Sequence, residues 1–205
     1  MTRTTHCLSL IALLGLVAGC LSAVPYTPIQ RYGIVPNVDV QTREQAVGPL
    51  AIRPLEYAQQ YSLLMVYRPD EFTVLYQDTE HWAEPPRDSV TRALRDALAT
   101  TGFFSDVGSA SDVPLPEYIL TGHLRRFDEM RTTSPPHALC EVRIEVRENA
   151  RPARVLLAKT YRESRAMNEN SASAFAEAMT SCVSTIVEQA TNDLIAALEE
   201  SSVDS

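Results

Sequence analysis

The sequence lacks an apolar run long enough to cross a membrane. Its longest such run, Leu8–Val17, has only 10 residues, whereas a helix that spans a hydrocarbon core of about 30 Å needs roughly 20. Glycine is also scarce, with 7 residues among 205, which excludes collagen-like and glycine-rich chains. The remaining composition, 45% hydrophobic and 21% charged, is typical of a globular domain with a real core.

Positive charge is in the minority. The chain has 18 Lys and Arg against 26 Asp and Glu, a formal net charge of −8, so we expect no nucleic acid partner. The charge is also unevenly placed, since residues 120–166 carry 10 bases and 6 acids and residues 167–205 carry 7 acids and no base. We interpret the basic segment as solvated strand faces; contact with an acidic partner or with lipid head groups is the alternative.

Motifs of catalysis and metal binding are absent. The four histidines share no metal-ligand spacing, and there is no G-x-S-x-G, H-E-x-x-H, Walker-type or G-x-G-x-x-G sequence. Catalysis needs positioned groups, and the polar residues here are scattered. The sequence therefore predicts no catalytic residues, no metal site, no cofactor, and a protein that is not an enzyme.

The first 20 residues have three parts. Arg3 and the amino terminus are positive, Leu8–Val17 is apolar, and small residues then lead into Cys20. The first two parts are typical of a secretory signal peptide, and the third resembles the bacterial lipobox. That resemblance implies that the Cys20 thiol takes a diacylglyceryl group, that the peptide is cut after Gly19, and that the new amine is acylated. An ordinary signal peptide with an accidental cysteine is the alternative.

Acylation at Cys20 would tether the protein to a membrane without inserting it. One acyl chain binds only marginally, whereas two or three, at about 0.8 kcal/mol per buried CH₂, make a lasting anchor. Leu21 follows the cysteine, and the absence of Asp there favours the periplasmic side of the outer membrane over the inner membrane. We predict a signal peptide at 1–19, a lipidated N-terminus and tether at 20–30, and a folded domain at 31–201.

The first half of the domain predicts short strands. Two of them are expected at 32–35 and 49–54. Two further β-rich runs, 62–67 and 72–76, predict a hairpin, because proline and aspartate in the intervening segment 68–71 favour a turn.

An amphipathic helix is expected after this hairpin. Pro86 suits its entrance, Asp88 or Ser89 can cap it, and Gly102 can end it. A loop is predicted at 108–116. The apolar face of the helix consists of Val90, Leu94, Ala97 and Leu98.

The second half predicts long strands and one long helix. Strands are expected at 117–127, 138–148 and 154–163, and a helix at 171–199 with its cap at residue 170 or 171. An apolar stripe along the helix is interpreted as core rather than as a coiled-coil seam, because the sheet needs a covering layer. The stripe consists of Phe175, Met179, Cys182, Val183, Ile186, Ala190, Leu194 and Leu198.

Two cysteines of the predicted domain, Cys140 and Cys182, are expected to point inward. Cys140 falls on the apolar face of a predicted strand, and Cys182 falls on the apolar stripe of the last helix. In an oxidising compartment they could form a disulfide that adds roughly 4 kcal/mol. Two buried free thiols, which behave as small hydrophobes, are an equal alternative.

Trp82, the only tryptophan, comes just before the first predicted helix. A core position is the favoured interpretation. An anchor at a protein interface is the alternative, because Trp and Tyr are enriched there. Tyr67 and Arg68, at the end of the first hairpin strand, are the other possible interface residues.

Several short segments together resemble the ABC-type transport auxiliary lipoproteins, the family of the Pqi-system outer-membrane lipoprotein. The resemblance covers roughly residues 30–200. Its most specific part is the order of a Val-Tyr-Arg run and a Trp-Ala-Glu-Pro run before an amphipathic helix. The matching residues are Cys20, Tyr32, Met65-Val-Tyr-Arg68, Val74-Leu-Tyr76, His81-Trp-Ala-Glu-Pro85 and Leu120-Thr-Gly-His-Leu-Arg-Arg-Phe-Asp128.

This resemblance implies an α/β fold: a mixed β-sheet, an amphipathic helix after the first hairpin, and a long C-terminal helix packed on the sheet. It also implies an adaptor that works beside an ABC transporter or an MCE-type protein in moving lipids or other hydrophobic compounds. Docking as a homo-oligomer is expected, and the family brings no catalytic residues. The alternatives are a carrier module that holds lipid in an apolar cavity and an anchored enzyme.

Overall fold

Nine strands and two helices form the part of the chain that the computed structural model describes, residues 27–44 and 46–203. The predicted signal peptide, Gly19, Cys20 and most of the predicted tether lie outside these residues. Within them, no helix is long and apolar enough to cross a membrane. The elements are β1 (Gln30–Tyr32), β2 (Leu50–Ile52), β3 (Glu56–Tyr57), β4 (Leu64–Arg68), β5 (Leu75–Trp82), α1 (Pro86–Thr100), β6 (Val107–Ser109), β7 (Tyr118–Met130), β8 (His137–Glu148), β9 (Val155–Ala166) and α2 (Ala172–Val203).

Strand β7 organises the sheet. Along one edge it pairs with the antiparallel β8, which in turn pairs with β9. Along the other edge it pairs in succession with three short parallel strands, β2, β3 and β4. The sheet then continues from β4 to β5 and β1, and from β2 to β6. It therefore splits into two branches on one side of β7, and the predicted mixed sheet is confirmed.

The helices and the sheet enclose one core. Helix α2 packs against β8, β9 and α1, and in β8 every second residue from Ala138 to Val146 is buried, as alternation along a strand requires. The whole predicted stripe of α2 is buried, which confirms that it is core. Burial of each large apolar side chain contributes about 1.5–3 kcal/mol, so this face of α2 is a main source of the domain's stability.

Some element boundaries differ from the predictions. The first strand is Gln30–Tyr32 and not 32–35, because its backbone pairs with β5 and local pattern does not set that register. The predicted loop 108–116 begins within strand β6, whose only described partner is the distant β2. Ser171 caps α2, since its Oγ accepts a hydrogen bond of 3.2 Å from the Ala174 N–H.

The predicted cap of α1 is wrong. The helix begins at Pro86, and Pro85 precedes it without any side-chain cap. The Ser89 hydroxyl donates instead to the Glu84 carboxylate at 2.7 Å, so it is not free to cap. Proline at the first helical position lacks an N–H, which removes one of the unpaired donors that a cap would otherwise satisfy. At the other end Gly102 has φ +64°, so the predicted glycine stop is confirmed.

Gly122 allows the neighbouring strand β8 and the Leu55 side chain to approach β7 closely. A Cβ at this position in β7 would lie 2.5 Å from the Arg143 carbonyl oxygen of β8 and 2.7 Å from Leu55. One of these contacts is backbone, so it cannot be relieved by rotating a side chain. Gly33 is a matched control, because a Cβ there would meet its nearest neighbour at 3.9 Å, an ordinary contact.

Gly122→Ala should lower the free energy of unfolding by about 1–3 kcal/mol, the usual cost of overpacking. Gly33→Ala should leave it unchanged or slightly raised, since alanine restricts the unfolded chain. Urea unfolding midpoints of the two variants and the wild type measure the difference. Equal midpoints for Gly122→Ala and the wild type would contradict the close approach of β7 and β8.

Candidate interaction surface

Two of the three residues proposed from the sequence as an interface, Tyr67 and Arg68, lie at the end of the sheet where β4 turns into β5. We call this region, with the turn 69–74 and the adjoining ends of β4, β5 and β7, the hairpin end. Trp82 is not on its surface. The indole is 2% exposed and packs against the rings of Phe127 and Phe175, each with a centroid distance of 5.3 Å. The structure thus has Trp82 in the core, where it joins β5 to β7 and α2.

A buried carboxylate holds β4 against β7 at the hairpin end. Asp128 is fully buried and accepts hydrogen bonds from the Tyr61 hydroxyl at 2.9 Å and from Arg126 Nε. The Nε of Arg68 lies 3.0 Å from Asp128 Oδ2 as an ion pair, without the alignment of a hydrogen bond. Burial, followed by the charge of Asp128, raises the pKa of Tyr61. Two guanidinium groups and a neutral phenol thus compensate one buried negative charge.

A second polar cluster lies on the opposite face of the same strands. Tyr67 pairs with Glu129 across β4 and β7, and alternation turns both away from the face of Asp128. Arg131 donates to both carboxylate oxygens of Glu129, at 2.7 and 2.9 Å, and its guanidinium lies 3.9 Å from the centre of the Tyr67 ring. Glu129 is 2% exposed, and its hydrogen bonds raise the pKa of Arg131. The register of β4 on β7 is therefore pinned from both faces.

Sequence reasoning identified Tyr67 and Arg68 but missed their partners Tyr61, Asp128 and Glu129. Two adjacent acids next to Phe127 in a predicted strand, with arginines on either side, were the available signal. Buried acids are almost always paired, so this pattern indicates an ion-pair cluster once the strand is assigned.

The turn of the β4–β5 hairpin presents apolar side chains to solvent. Phe72 is 88% exposed, and Leu75 and Tyr76 are about two-fifths exposed. The Asp70 carboxylate accepts hydrogen bonds from the Thr73 hydroxyl and from the backbone N–H groups of Thr73 and Phe72, at 2.7 to 2.8 Å. These bonds, with that of the Thr73 hydroxyl foremost, lower the pKa of Asp70. The turn is thus internally tied, and Phe72 projects from a fixed backbone.

The basic segment 120–166 is partly neutralised by its neighbours. Lys159 of β9 lies 2.7 Å from Asp193 of α2, and Arg125 and Arg162 approach Glu141 at 3.6 and 3.7 Å. These pairs are largely exposed and each contributes at most about 1 kcal/mol. Several bases of this segment are therefore solvated strand residues that are paired with acids of the same domain.

Cys140 and Cys182 are both fully buried between β8 and α2, and both are free thiols in the structure. The Cys182 thiol donates to the Ala138 carbonyl oxygen at 4.0 Å. Burial raises the pKa of Cys140 well above its usual value and that of Cys182 to about 12. Because the unfolded thiols ionise first, the stability that they add is present below pH 9 and is lost as the pH rises toward 12.

The polar side chains of residues 27–44 and 46–203 form no group of three or more His, Cys, Asp or Glu that could hold a metal ion. Surface grooves flank the helices. One, of about 240 Å³, lies between residues 36–40 and α1, and another, of about 480 Å³, lies between Arg131, Gln77 and the start of α2.

Comparison with known proteins identifies the family. The model of the ABC-type transport auxiliary lipoprotein component matches residues 37–191. This chain belongs to that family. The auxiliary lipoproteins are a transport family and not an enzyme family, and as lipoproteins they are anchored to a membrane of the cell envelope. A search of curated proteins gives no match.

Solved structures share the fold of this auxiliary lipoprotein. Protein XCC0632 of Xanthomonas campestris, of family DUF330, is 20% identical with a TM-score of 0.73, over 84% of this chain and 99% of that one. A second crystal structure, of an uncharacterized protein, is 10% identical with a TM-score of 0.60 over the same shares. At these identities the likeness concerns the fold alone.

Asp128→Asn should destabilise the domain by about 3–5 kcal/mol, because it leaves Arg68 and Arg126 buried or half-buried without a counter-charge. The exposed ion pair between Glu145 and Arg143, at 3.7 Å, supplies the control. Glu145→Gln should cost less than about 1 kcal/mol. Urea unfolding of both variants tests this difference, and similar costs for the two would contradict the role assigned to Asp128.

Iodoacetamide at pH 8 should modify neither Cys140 nor Cys182 in the folded protein, because both are buried and protonated. Unfolding without a reductant should expose two reactive thiols, counted by mass spectrometry. A Thr73→Cys variant, whose thiol would lie in the exposed turn, should react readily and serves as the control. If the unfolded wild type reacts only after reduction, the cysteines form a disulfide and the free-thiol assignment is wrong.

Proposed function

We propose that this protein is acylated at Cys20, lies on the periplasmic side of the outer membrane, and acts there as an adaptor of an ABC- or MCE-type transport system for lipids or other hydrophobic compounds. The family match over residues 37–191 carries the proposal. That match begins beyond the predicted signal peptide and tether, and this position supports an arrangement of an anchor segment followed by an auxiliary domain. Residue 21 is Leu and not Asp, which supports a location at the outer membrane.

The packing between helix and sheet favours an adaptor over a lipid carrier. A carrier needs an apolar cavity of the size of its cargo. In this protein the space between α2 and the sheet is filled by side chains, among them the rings of Trp82, Phe127 and Phe175, which pack edge-to-face and tilted against one another. A cargo chain could enter only if this core were displaced. Docking on other proteins demands no such change.

Self-association is part of the proposal. Among the described strands, β9 pairs only with β8, so its outer edge of 12 residues carries backbone groups that a second copy can pair with. Lys159 and Arg162 on this strand would oppose indiscriminate pairing. Light scattering of the detergent-solubilised protein measures the number of copies.

The anchor is tested by changing Cys20→Ala, with Cys7→Ala as the matched control because Cys7 lies in the predicted signal peptide. The wild type and Cys7→Ala should incorporate labelled palmitate and fractionate with membranes. Cys20→Ala should incorporate no label. Labelling that persists in Cys20→Ala would refute the acylation site.

The adaptor role is tested on the same proteins. Wild type captured from detergent-solubilised membranes should bring with it a permease, an ATPase or an MCE-type component, and native mass spectrometry of the domain should find no bound lipid. A stoichiometric lipid that stays bound through purification would instead favour the carrier function. If the captured wild type brings no transport component with it, the adaptor function is contradicted.

A further inference from the structure

The exposed side chains of the β4–β5 turn lie on both faces of one strand tip. Tyr76 pairs with Val66, and Leu75 pairs with Tyr67, so Leu75 and Tyr76 project to opposite sides of the hairpin. Phe72 extends beyond them with 88% of its surface exposed. We call Phe72, Leu75 and Tyr76 the apolar tip. A phenylalanine held outward by a tied turn loses hydrophobic free energy unless another phase covers it.

The direction of β1 brings the anchor to the same end of the molecule. Strand β1 runs parallel to β5, with Gln30 opposite Glu80. The chain that precedes Gln30 therefore comes from the direction of Leu75, the first residue of β5. Leu75 and Glu80 are five residues apart, at most about 16 Å at roughly 3.3 Å per residue, and the register shift between β4 and β5 shortens this distance.

The length of chain between Cys20 and Gln30 limits how far the anchor can be from the apolar tip. These ten residues can span at most about 36 Å when fully extended. A bilayer that holds acyl chains on Cys20 is therefore within reach of the hairpin end, from whose side the chain enters β1, whereas the opposite end of the 13-residue strand β7 lies in the other direction from Gln30.

We infer that the apolar tip is a second membrane contact, which seats Phe72, Leu75 and Tyr76 in the interfacial layer of the phospholipid bilayer that holds Cys20. The inference rests on the proposed acylation of Cys20. Aromatic rings favour the boundary between head groups and acyl chains. The carboxylate of Asp70 is engaged in the turn's own hydrogen bonds, and the exposed Glu71 limits the tip to this boundary layer.

Two contacts orient a domain that one tether leaves free to rotate. With Cys20 and the apolar tip both at the bilayer, the long strands β7, β8 and β9 stand away from the membrane. The opposite end of the sheet, with β2, β6 and the loop at Leu115, then faces the periplasm. Leu115 is 84% exposed, so it matches Phe72 in exposure and differs from it in position.

Tryptophan quenching by lipid tests this arrangement. The acylated Phe72→Trp and Leu115→Trp proteins are reconstituted into vesicles of phosphatidylethanolamine and phosphatidylglycerol, with or without brominated phosphatidylcholine. Buried Trp82 gives a constant background that the wild type measures. The bilayer should blue-shift the added emission of Phe72→Trp, and brominated chains should quench it. Brominated chains should leave the emission of Leu115→Trp as it is in their absence.

Flotation of the same vesicles separates the possible failures. If the proteins float but Phe72→Trp is not quenched, the apolar tip is free for a protein partner and the membrane contact is refuted, while the anchor stands. Equal quenching of Phe72→Trp and Leu115→Trp would refute the orientation. If the proteins do not float, the acyl anchor itself fails, and this inference fails with it.

Discussion

The buried carboxylate of Asp128 determines how the two branches of this sheet are joined. A charge with no exposure to water is tolerated only where opposite charges and hydrogen bonds surround it, and Tyr61, Arg68 and Arg126 supply these. The four groups come from three segments. Tyr61 lies in the loop before β4, Arg68 ends β4, and Arg126 and Asp128 belong to β7. The cluster can form in only one register, because a slip of one residue would turn Arg68 to the opposite face.

Fixing β4 on β7 has consequences that extend to the anchor. Strand β5 is antiparallel to β4, and β1 is parallel to β5, so the register of β4 sets where the chain enters the domain. It also sets the direction in which the hairpin projects. If the register of β4 on β7 could vary, the tether and the apolar tip would not stay at the same end of the domain. The ion pairs thus specify a geometry, which is the best-attested use of buried polar groups, while the apolar face of α2 supplies most of the stability.

The parts of the fold that follow from local periodicity could be predicted from the sequence. Helix α2, β7 and β8 were found because their side chains repeat every 3.6 or every 2 residues over long stretches. Strand β6 could not be found, since three residues, Val-Gly-Ser, have no period and are held by a distant parallel partner. The hairpin was predicted, but the exposure of Phe72 was not. An apolar residue beside a turn has no sequence feature that distinguishes a core position from a surface one.

The charges of the domain fit an orientation with the hairpin end at the membrane. Helix α2 carries the acids of residues 172–203 without any base, and a surface of that sign is repelled by anionic lipid. Lys159 of β9 forms an ion pair with Asp193 of α2. This pair neutralises one of the negative charges of the helix within the molecule. A domain lying with α2 flat on the bilayer would have to desolvate the remaining carboxylates. Standing on the apolar tip, it keeps them in water and leaves α2 and β9 open to other proteins, which is the surface that an adaptor requires.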